Sequence, residues 1–515
     1  MTTFIDTSVF CALPATDEDE HDAARAEFIT VERLTHDILP AIDVEMAGAD
    51  RQAPEDLVRD RSRSVSFVDR VSFAFMRERA SGSHWPSTTT SRPRASRSCR
   101  GPRDVDRVRQ RTEAISENPW LRSGFVALVV SVTVMLATVF RQTGVPKWST
   151  IWAEDGTVFA QCAYDRSTIA CLTEAYAGYA QLVPRLAAEL ATLGGPEGLP
   201  SRLMLLAGLV AAGAGAVAAI AVYRVTGSLW AGILSGVGLA LVNPAGIEVL
   251  GNLANLHWIL LSASVVIIVC MWLGNPPGWT GNTVLVLTTL SSPLGPVLLV
   301  PMGLVAVAKR SPGARSTTMA VTCAAVLQSL AMVNSERPAP SGPSPTLADL
   351  VSWTGVAVRD WGWFGPEIPN SNLLMAGGMV AVLGLLVMRR QYWVAIIVAS
   401  LTAVGLAVLA SSASLNHAVI PRHAYVLITL MLCGFAIGLG NLAGELRRPV
   451  RSLVMVLIVA IAGLGFATSF KVESGSSGGP DVMAQVDAAD CSTGTSISIE
   501  IAPRGWRMSI PCPGS

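Results

Sequence analysis

After residue 122 the chain is a series of long apolar runs separated by short polar breaks. The first run covers about Gly124–Phe140, with Arg122 before it and Arg141 after it. Later runs occupy about Leu203–Val222, Leu229–Val242, Leu253–Leu273, Thr317–Val333, Leu373–Met388, Trp393–Ala410, Ala424–Leu442 and Leu453–Phe470. Uncharged apolar runs of this kind read as membrane-spanning helices. The stretch Thr280–Ala308 is harder, because Pro293, Pro296 and Pro301 interrupt it. A helix through three prolines is costly, and a single pass would reverse the side of Lys309, Arg310 and Arg315. Two short helices meeting at Ser291-Ser292-Pro293 restore that side, which brings the expected spans to about eleven.

The basic residues then set the sides. Arg224, Lys309-Arg310 with Arg315, Arg389-Arg390, and Arg447-Arg448 with Arg451 all fall on one side with the N-terminus, which the positive-inside rule makes cytoplasmic. Residues 141–200 become an outer loop, and the tail 471–515 lies outside the membrane as well. Cys162 and Cys171 share that loop, and Cys491 and Cys512 share the tail, so each outer segment is expected to hold one disulfide. Cys270, Cys323 and Cys433 lie within the runs and serve as small apolar residues. In the tail, Ile497, Ile499 and Ile501 alternate, Pro503-Arg504-Gly505 turns, and Trp506, Met508 and Ile510 alternate again. This predicts a β-hairpin with one apolar face, packed on the outer surface of the helical domain.

Composition supports the membrane class. Hydrophobic residues make up 51%, charged residues only 15%, and the mean hydropathy is +0.46. A soluble enzyme carries about a quarter charged residues, so both a soluble enzyme and a single-pass anchor are excluded. The equal totals of 38 basic and 38 acidic residues hide an asymmetry, since no lysine precedes Lys147 and arginines crowd the first 122 residues. High Ala, Gly, Val and Arg with few Lys point to a GC-rich genome.

The N-terminal part is of a different kind. It lacks the apolar core of a secretory signal and carries the acidic run Asp17-Glu18-Asp19-Glu20. Phe4-Ile5-Asp6-Thr7-Ser8-Val9-Phe10 reads as a short strand, and Ala23–Phe28 and Ser66–Arg77 read as helical, the latter with Asp69 near its start. Residues 1–79 resemble a piece of a PIN-domain nuclease, whose acidic residues hold Mg²⁺ or Mn²⁺; Asp6 and Asp69 are the matching positions. The segment for the family's second acidic residue is missing between about Phe28 and Leu34, and two aspartates do not build that site. The expectation is a degenerate α/β remnant without nuclease activity. Residues 80–120 form a disordered basic linker, with eight arginines from Arg92 to Arg111. Its commoner role is to fix topology rather than to bind nucleic acid.

Candidate chemistry concentrates in three outer segments. The first contains Trp152-Ala153-Glu154-Asp155-Gly156-Thr157-Val158-Phe159 and Tyr176-Ala177-Gly178-Tyr179-Ala180-Gln181-Leu182-Val183-Pro184-Arg185-Leu186. The others contain Asn252–Trp258 and Asn416–Tyr425. Glu154 and Asp155 suit a general base or a metal ligand, or a solvated pair capping a helix from Thr157. Arg185 suits an anionic headgroup or snorkels to lipid phosphates. His257 with Asn255 hydrogen-bonds a substrate or a neighbouring helix. Arg422-His423 neutralises a phosphate or anchors at the interface. A further outer stretch, Arg359-Asp360-Trp361-Gly362-Trp363, reads as an interfacial aromatic anchor. Taken together, acids, cations and aromatics from separated outer segments fit a lipid-linked phosphate entering sideways. A lipid or solute transporter and a non-catalytic membrane assembly protein remain alternatives.

An acidic pair opening a long first outer loop, amphipathic helices after it, paired short central helices and an extracytoplasmic C-terminal segment resemble the GT-C superfamily of polytopic glycosyltransferases. The Trp-Ala-Glu-Asp-Gly and Gly-Tyr…Pro-Arg-Leu patterns resemble its uncharacterised actinobacterial branch, over about residues 120–515. The resemblance implies an all-α, GT-C-like transmembrane domain over 121–470. It further implies a plasma-membrane enzyme that moves a sugar from a polyprenyl-phosphate donor to a cell-envelope glycan or protein acceptor. Glu154 and Asp155 match its acidic motif, whose carboxylate deprotonates the acceptor or helps bind Mg²⁺ or Mn²⁺, with Asp155 as the ligand if a metal takes part. The phosphate role of Arg185 and Arg422 comes from their charge and placement, and no nucleic-acid partner is expected.

Overall fold

A computed structural model describes residues 119–335, 346–360, 371–416, 420–445, 463, 470–474, 476–492 and 495–512. The N-terminal remnant, the linker as far as residue 118, nearly all of the run Leu453–Phe470, Arg447, Arg448, Arg451 and Trp361-Gly362-Trp363 lie outside the described residues.

The apolar runs fold as helices because residues at their ends satisfy the groups a helix leaves open. α1 (Pro119–Phe140) starts at a proline, whose fixed φ suits a first turn. In the following loop come α2 (Gln161–Asp165), α3 (Thr168–Thr173) and α4 (Leu182–Thr192). α5 (Leu199–Thr226) closes on Gly227 in the left-handed region, and Ser228 then accepts from Ala231 N to start α6 (Leu229–Leu241). After α7 (Leu256–Trp272), the proline-rich stretch is two helices, α8 (Gly278–Thr289) and α9 (Leu299–Lys309), joined through Ser291-Ser292-Pro293 as expected. α10 (Pro312–Val333) is capped by Ser311. Then follow α11 (Leu347–Asp360), α12 (Ser371–Met388), α13 (Tyr392–Asn416) and α14 (Pro421–Glu445). The tail holds α15 (Val482–Asp487), β1 (Ser496–Ile501) and β2 (Trp506–Pro511).

Among the described residues, five helices are long and apolar enough to cross a membrane: α1, α5, α10, α13 and α14. The stretches Leu229–Leu241, Leu256–Trp272, Gly295–Lys309 and Ala376–Met388 are apolar but shorter. The expectation of about eleven spans is thus met in part. Nearly all of the run Leu453–Phe470 lies outside the described residues, and part of the difference has a local cause at α6, which stops at Val242-Asn243-Pro244 and hands the chain to a short irregular segment before α7. A helix of that length rises only about 20 Å, against about 30 Å of hydrocarbon.

α7 and α14 form the centre. Nearly every α7 side chain is buried, including His257, Trp258, Ser262 and Ser264, and α14 is buried along most of its length. α5 packs closely on α6 through small residues: a Cβ added at Gly236 would lie 2.7 Å from the Gly215 carbonyl oxygen. α1 buries Val126, Val130, Val134 and Ala137 while exposing Phe125, Leu128, Val132 and Leu136. That apolar outer stripe calls for an apolar surrounding.

The two ends of the helices differ in chemistry. At one end Arg224 of α5 lies over the Trp120 ring of α1, 6.0 Å from its centroid. At the other end the loop after α1 meets the tail. Gln142 bridges to Val472, Trp152 bridges to Ala502, and Ala502 N donates to Ile151 O at 2.9 Å. β1 and β2 pair antiparallel with Ile499 opposite Met508, and Ile499, Ile501, Met508 and Ile510 are buried, as the alternation predicts. Ile497 is half-buried, and Trp506 stays 40% exposed at the turn end of the same face. The hairpin therefore packs on the first loop. Both expected disulfides are present, Cys162–Cys171 and Cys491–Cys512, while Cys270 and Cys433 are buried in helices as free thiols and Cys323 is an exposed one.

Candidate functional site

The acidic pair opens a π-helical turn, Asp155–Ala160, for which Glu154 is the preceding residue. A second π-helical turn, Ala245–Val249, carries Glu248 in the link between α6 and α7. Such turns are rare and re-aim side chains locally. Here both fall beside the candidate residues, on the first-loop end of the helices.

Glu154 and Asp155 have different surroundings. Asp155 is 2% exposed, and its Oδ2 and Oδ1 accept from Leu253 N and Ala254 N, each at 2.8 Å. It ties the first loop to the start of α7. The ammonium of Lys147, also buried, donates to Asn252 Oδ1 and, at 3.1 Å, to Ser476 Oγ, which joins the tail to the same turn. Burial pushes the Asp155 carboxyl up, against the two N–H bonds and the charge of Lys147, and pushes the Lys147 ammonium down. Glu154 is half-buried, and its Oε2 is sequestered from solvent with no hydrogen-bond partner among the described residues. Its charge is felt by Tyr176, Asp155 and Glu248. Glu154, not Asp155, has free chemical capacity.

The other expected residues fall into two groups. In the first, Arg422, at the start of α14, pairs with Glu248. Burial raises the Glu248 carboxyl, and Arg422 opposes the rise. Asn255 is turned to structural use: its amide donates to Glu248 O at 3.0 Å, alongside Asn252 at 2.5 Å. His257 Nδ1 donates to Ala254 O at 2.8 Å, which leaves Nε2 as the acceptor nitrogen. Its ring lies 4.6 Å from Trp258 and 6.1 Å from Tyr179, and Trp258 lies 6.3 Å from His423, which is buried. The result is an aromatic wall built from α7, α14 and the first loop.

In the second group, Arg185 on α4 is 2% exposed and sits over the Phe159 ring, 5.7 Å from its centroid. Phe159 in turn meets Tyr176 edge-on at 6.3 Å. The nearest acid is Glu174, 4.0 Å from Arg185 Nη1, and Nε and Nη1 make no hydrogen bond among the described residues. Burial lowers the Arg185 guanidinium, with Glu174 acting against it. Glu174 also pairs with Arg166 at 3.2 Å, in the loop closed by Cys162–Cys171. Arg185 is thus neither a snorkelling side chain nor a saturated one.

Each oxygen of Asp155 already accepts from a backbone N–H group, and among the described residues no three His, Cys, Asp or Glu side chains are grouped to hold a metal.

Sequence reasoning missed Glu248, Trp258 and Tyr179 as site residues. Glu248 did carry a signal, since no other Asp or Glu occurs between Glu197 and Glu336. An isolated acid in an apolar stretch marks a functional candidate. Tyr179 and Trp258 lay inside the candidate segments, but nothing singled them out there, because their roles depend on α7 and the loop meeting in space. No protein-family model matches the chain, and no curated protein matches it either.

Proposed function

We propose that this protein is a membrane glycosyltransferase of GT-C type, moving a sugar from a polyprenyl-phosphate donor to an acceptor hydroxyl outside the plasma membrane. The observation that carries the reading is Glu154, a carboxylate with a sequestered oxygen that makes no hydrogen bond among the described residues, on the same first loop as Arg185, a buried arginine whose Nε and Nη1 also make none. The first loop would face outward, because both disulfides lie on that end of the helices and Arg224 marks the other.

In this reading the acceptor oxygen attacks the anomeric carbon, and its proton passes to the Glu154 carboxylate. The new carbon–oxygen bond forms as the bond to phosphate breaks on the opposite face, so the configuration inverts. Polyprenyl phosphate leaves with the bonding pair, and Arg185 stabilises the charge that develops on it. Arg422, already paired with Glu248, shapes the opposite wall. Asp155 positions rather than reacts, by holding the turn that presents Glu248 and His257. The aromatic wall suits the apolar face of a pyranose ring.

The test is transfer from a radiolabelled polyprenyl-phosphate sugar in reconstituted vesicles. Glu154→Gln should keep insertion and lose transfer by about 10²-fold or more. Full activity in that variant would remove Glu154 from the mechanism, and uptake of solute without any glycosylated product would favour the transporter alternative.

A further inference from the structure

The buried groups around Arg185 extend beyond Glu154. Gln181 is one helical turn before Arg185, whose N–H donates to Gln181 O at 3.1 Å, and both side chains are 2% exposed. Gln328 reaches the same point from α10. It is fully buried, and its amide donates to Ala180 O at 3.3 Å and to Ser292 O at 3.0 Å. The break between α8 and α9 completes the junction, with Leu182 N donating to Leu290 O at 3.3 Å and Val183 N to Ser291 Oγ at 3.0 Å.

The unbonded atoms here are complementary in kind. Arg185 leaves two donors, Nε–H and Nη1–H, without hydrogen bonds, whereas Gln181 Oε1 and Gln328 Oε1 are acceptors without donors, all sequestered from solvent. Buried polar atoms of this kind cost about 1–3 kcal/mol each when unmet, and native chains rarely cluster them without use. The three residues adjoin, since the Gln328 amide donates to Ala180 O, next to Gln181, and Arg185 N–H donates to Gln181 O, yet these side-chain atoms stay unbonded.

We infer that Arg185, Gln181 and Gln328 form a binding site for a phosphorylated sugar, in which the guanidinium takes phosphate oxygens and the two glutamines accept from sugar hydroxyls. A ligand of phosphate alone would satisfy the donors and leave both acceptors unmet. A neutral sugar would do the reverse. The inference deepens the transferase reading, for which it supplies the residues that hold the donor head. It does not require that transfer occur.

The experiment is equilibrium binding to the full chain in nanodiscs, with three probes: inorganic phosphate, glucose 1-phosphate, and polyprenyl-phosphate glucose added to the bilayer. The expected result is that a sugar phosphate binds about tenfold or more tightly than inorganic phosphate. Binding of glucose 1-phosphate identifies a water-borne ligand; binding confined to the polyprenyl form identifies a lipid-borne one. Arg185→Lys, which keeps the charge and loses the fork, should weaken every probe about tenfold. Gln181→Leu should remove the preference for the sugar phosphate and leave phosphate binding in place. Its melting temperature without ligand should stay at or above that of the native protein, since an unmet buried acceptor is gone. No saturable binding of any probe would overturn the site, as would a preference that survives both Gln181→Leu and Gln328→Leu. If Glu154→Gln and the native protein bind alike but neither transfers sugar, the binding site stands and the transferase reading falls.

Discussion

At the residue scale, the acidic pair shows how two neighbours with the same charge acquire different work. Asp155 spends both oxygens on the N–H groups of Leu253 and Ala254. Asparagine there would present one acceptor and one donor, so it would lose a bond and turn an N–H against an N–H. Asp155→Asn should therefore cost about 1–3 kcal/mol in thermal or denaturant unfolding, whereas Glu154→Gln should leave stability within about 0.5 kcal/mol. A pH effect follows from the pair Asp155 and Lys147. Asp155 titrates higher when folded, so the stability it contributes is present at acid pH and is lost as pH rises from its ordinary 3.8 toward about 7. Lys147 titrates lower when folded, from 10.5 to about 8, so its burial penalty is relieved as pH rises across that interval. Melting temperature should pass through a shallow minimum near pH 7 to 8, and the double variant Asp155→Asn, Lys147→Met should flatten it. A flat native profile would deny the linkage. The pair itself was legible in the chain, as two acids before a glycine. Which acid reacts was not, because the distinction rests on N–H groups about a hundred residues away in sequence.

At the element scale, the fold was read most fully where one local pattern decides it. Alternation gave the hairpin its two strands and buried face, and prolines divided Thr280–Ala308 into two helices. The π-helical turns had no such signature, since they arise where loop, tail and α7 compete for one space. Gly156 illustrates this. A Cβ there would lie 2.6 Å from Ile501 Cδ1 and 3.0 Å from Met508 Sδ, so the glycine admits the hairpin rather than a turn of its own backbone. At Gly295, in the link to α9, a Cβ would lie 2.5 Å from the Cα and carbonyl oxygen of Thr289. Ile501 can rotate its tip, but the Thr289 backbone cannot yield without reshaping the end of α8. Gly156→Ala should therefore cost about 1 kcal/mol, and Gly295→Ala about 2–3 kcal/mol. Denaturant unfolding of both variants checks the order, and equal costs would show that the α8–α9 link adapts freely. Removing Cys162–Cys171 by double substitution with serine should cost about 2–3 kcal/mol by loop entropy. It would also free the segment bearing Glu174, which is the nearest acid to Arg185.

At the scale of the whole molecule, both disulfides lie at the end of the helices where the first loop meets the tail, and the transferase reading requires that end to face outward. α10 makes the requirement measurable. Gln328, near its C-terminal end, holds Ala180 and Ser292 at the first-loop end. Gly313, fifteen positions earlier on the same helix, lies about 22 Å away by helical rise, next to Lys309, Arg310 and Arg315. With the positive residues inside, a membrane-impermeant maleimide applied to intact cells should label a Ser167→Cys variant and spare a Gly313→Cys variant. Both positions are exposed, so access to the protein surface does not bias the comparison. Native Cys11, Cys99 and Cys323 should be replaced by serine in both, so that the introduced thiol is the one read. Permeabilised cells should label both. The reverse pattern in intact cells would put Glu154, Arg185 and both disulfides in the cytoplasm. No outward-facing lipid-linked donor could then reach them, and the transferase reading would lose its substrate while the buried cluster around Arg185 kept its chemistry.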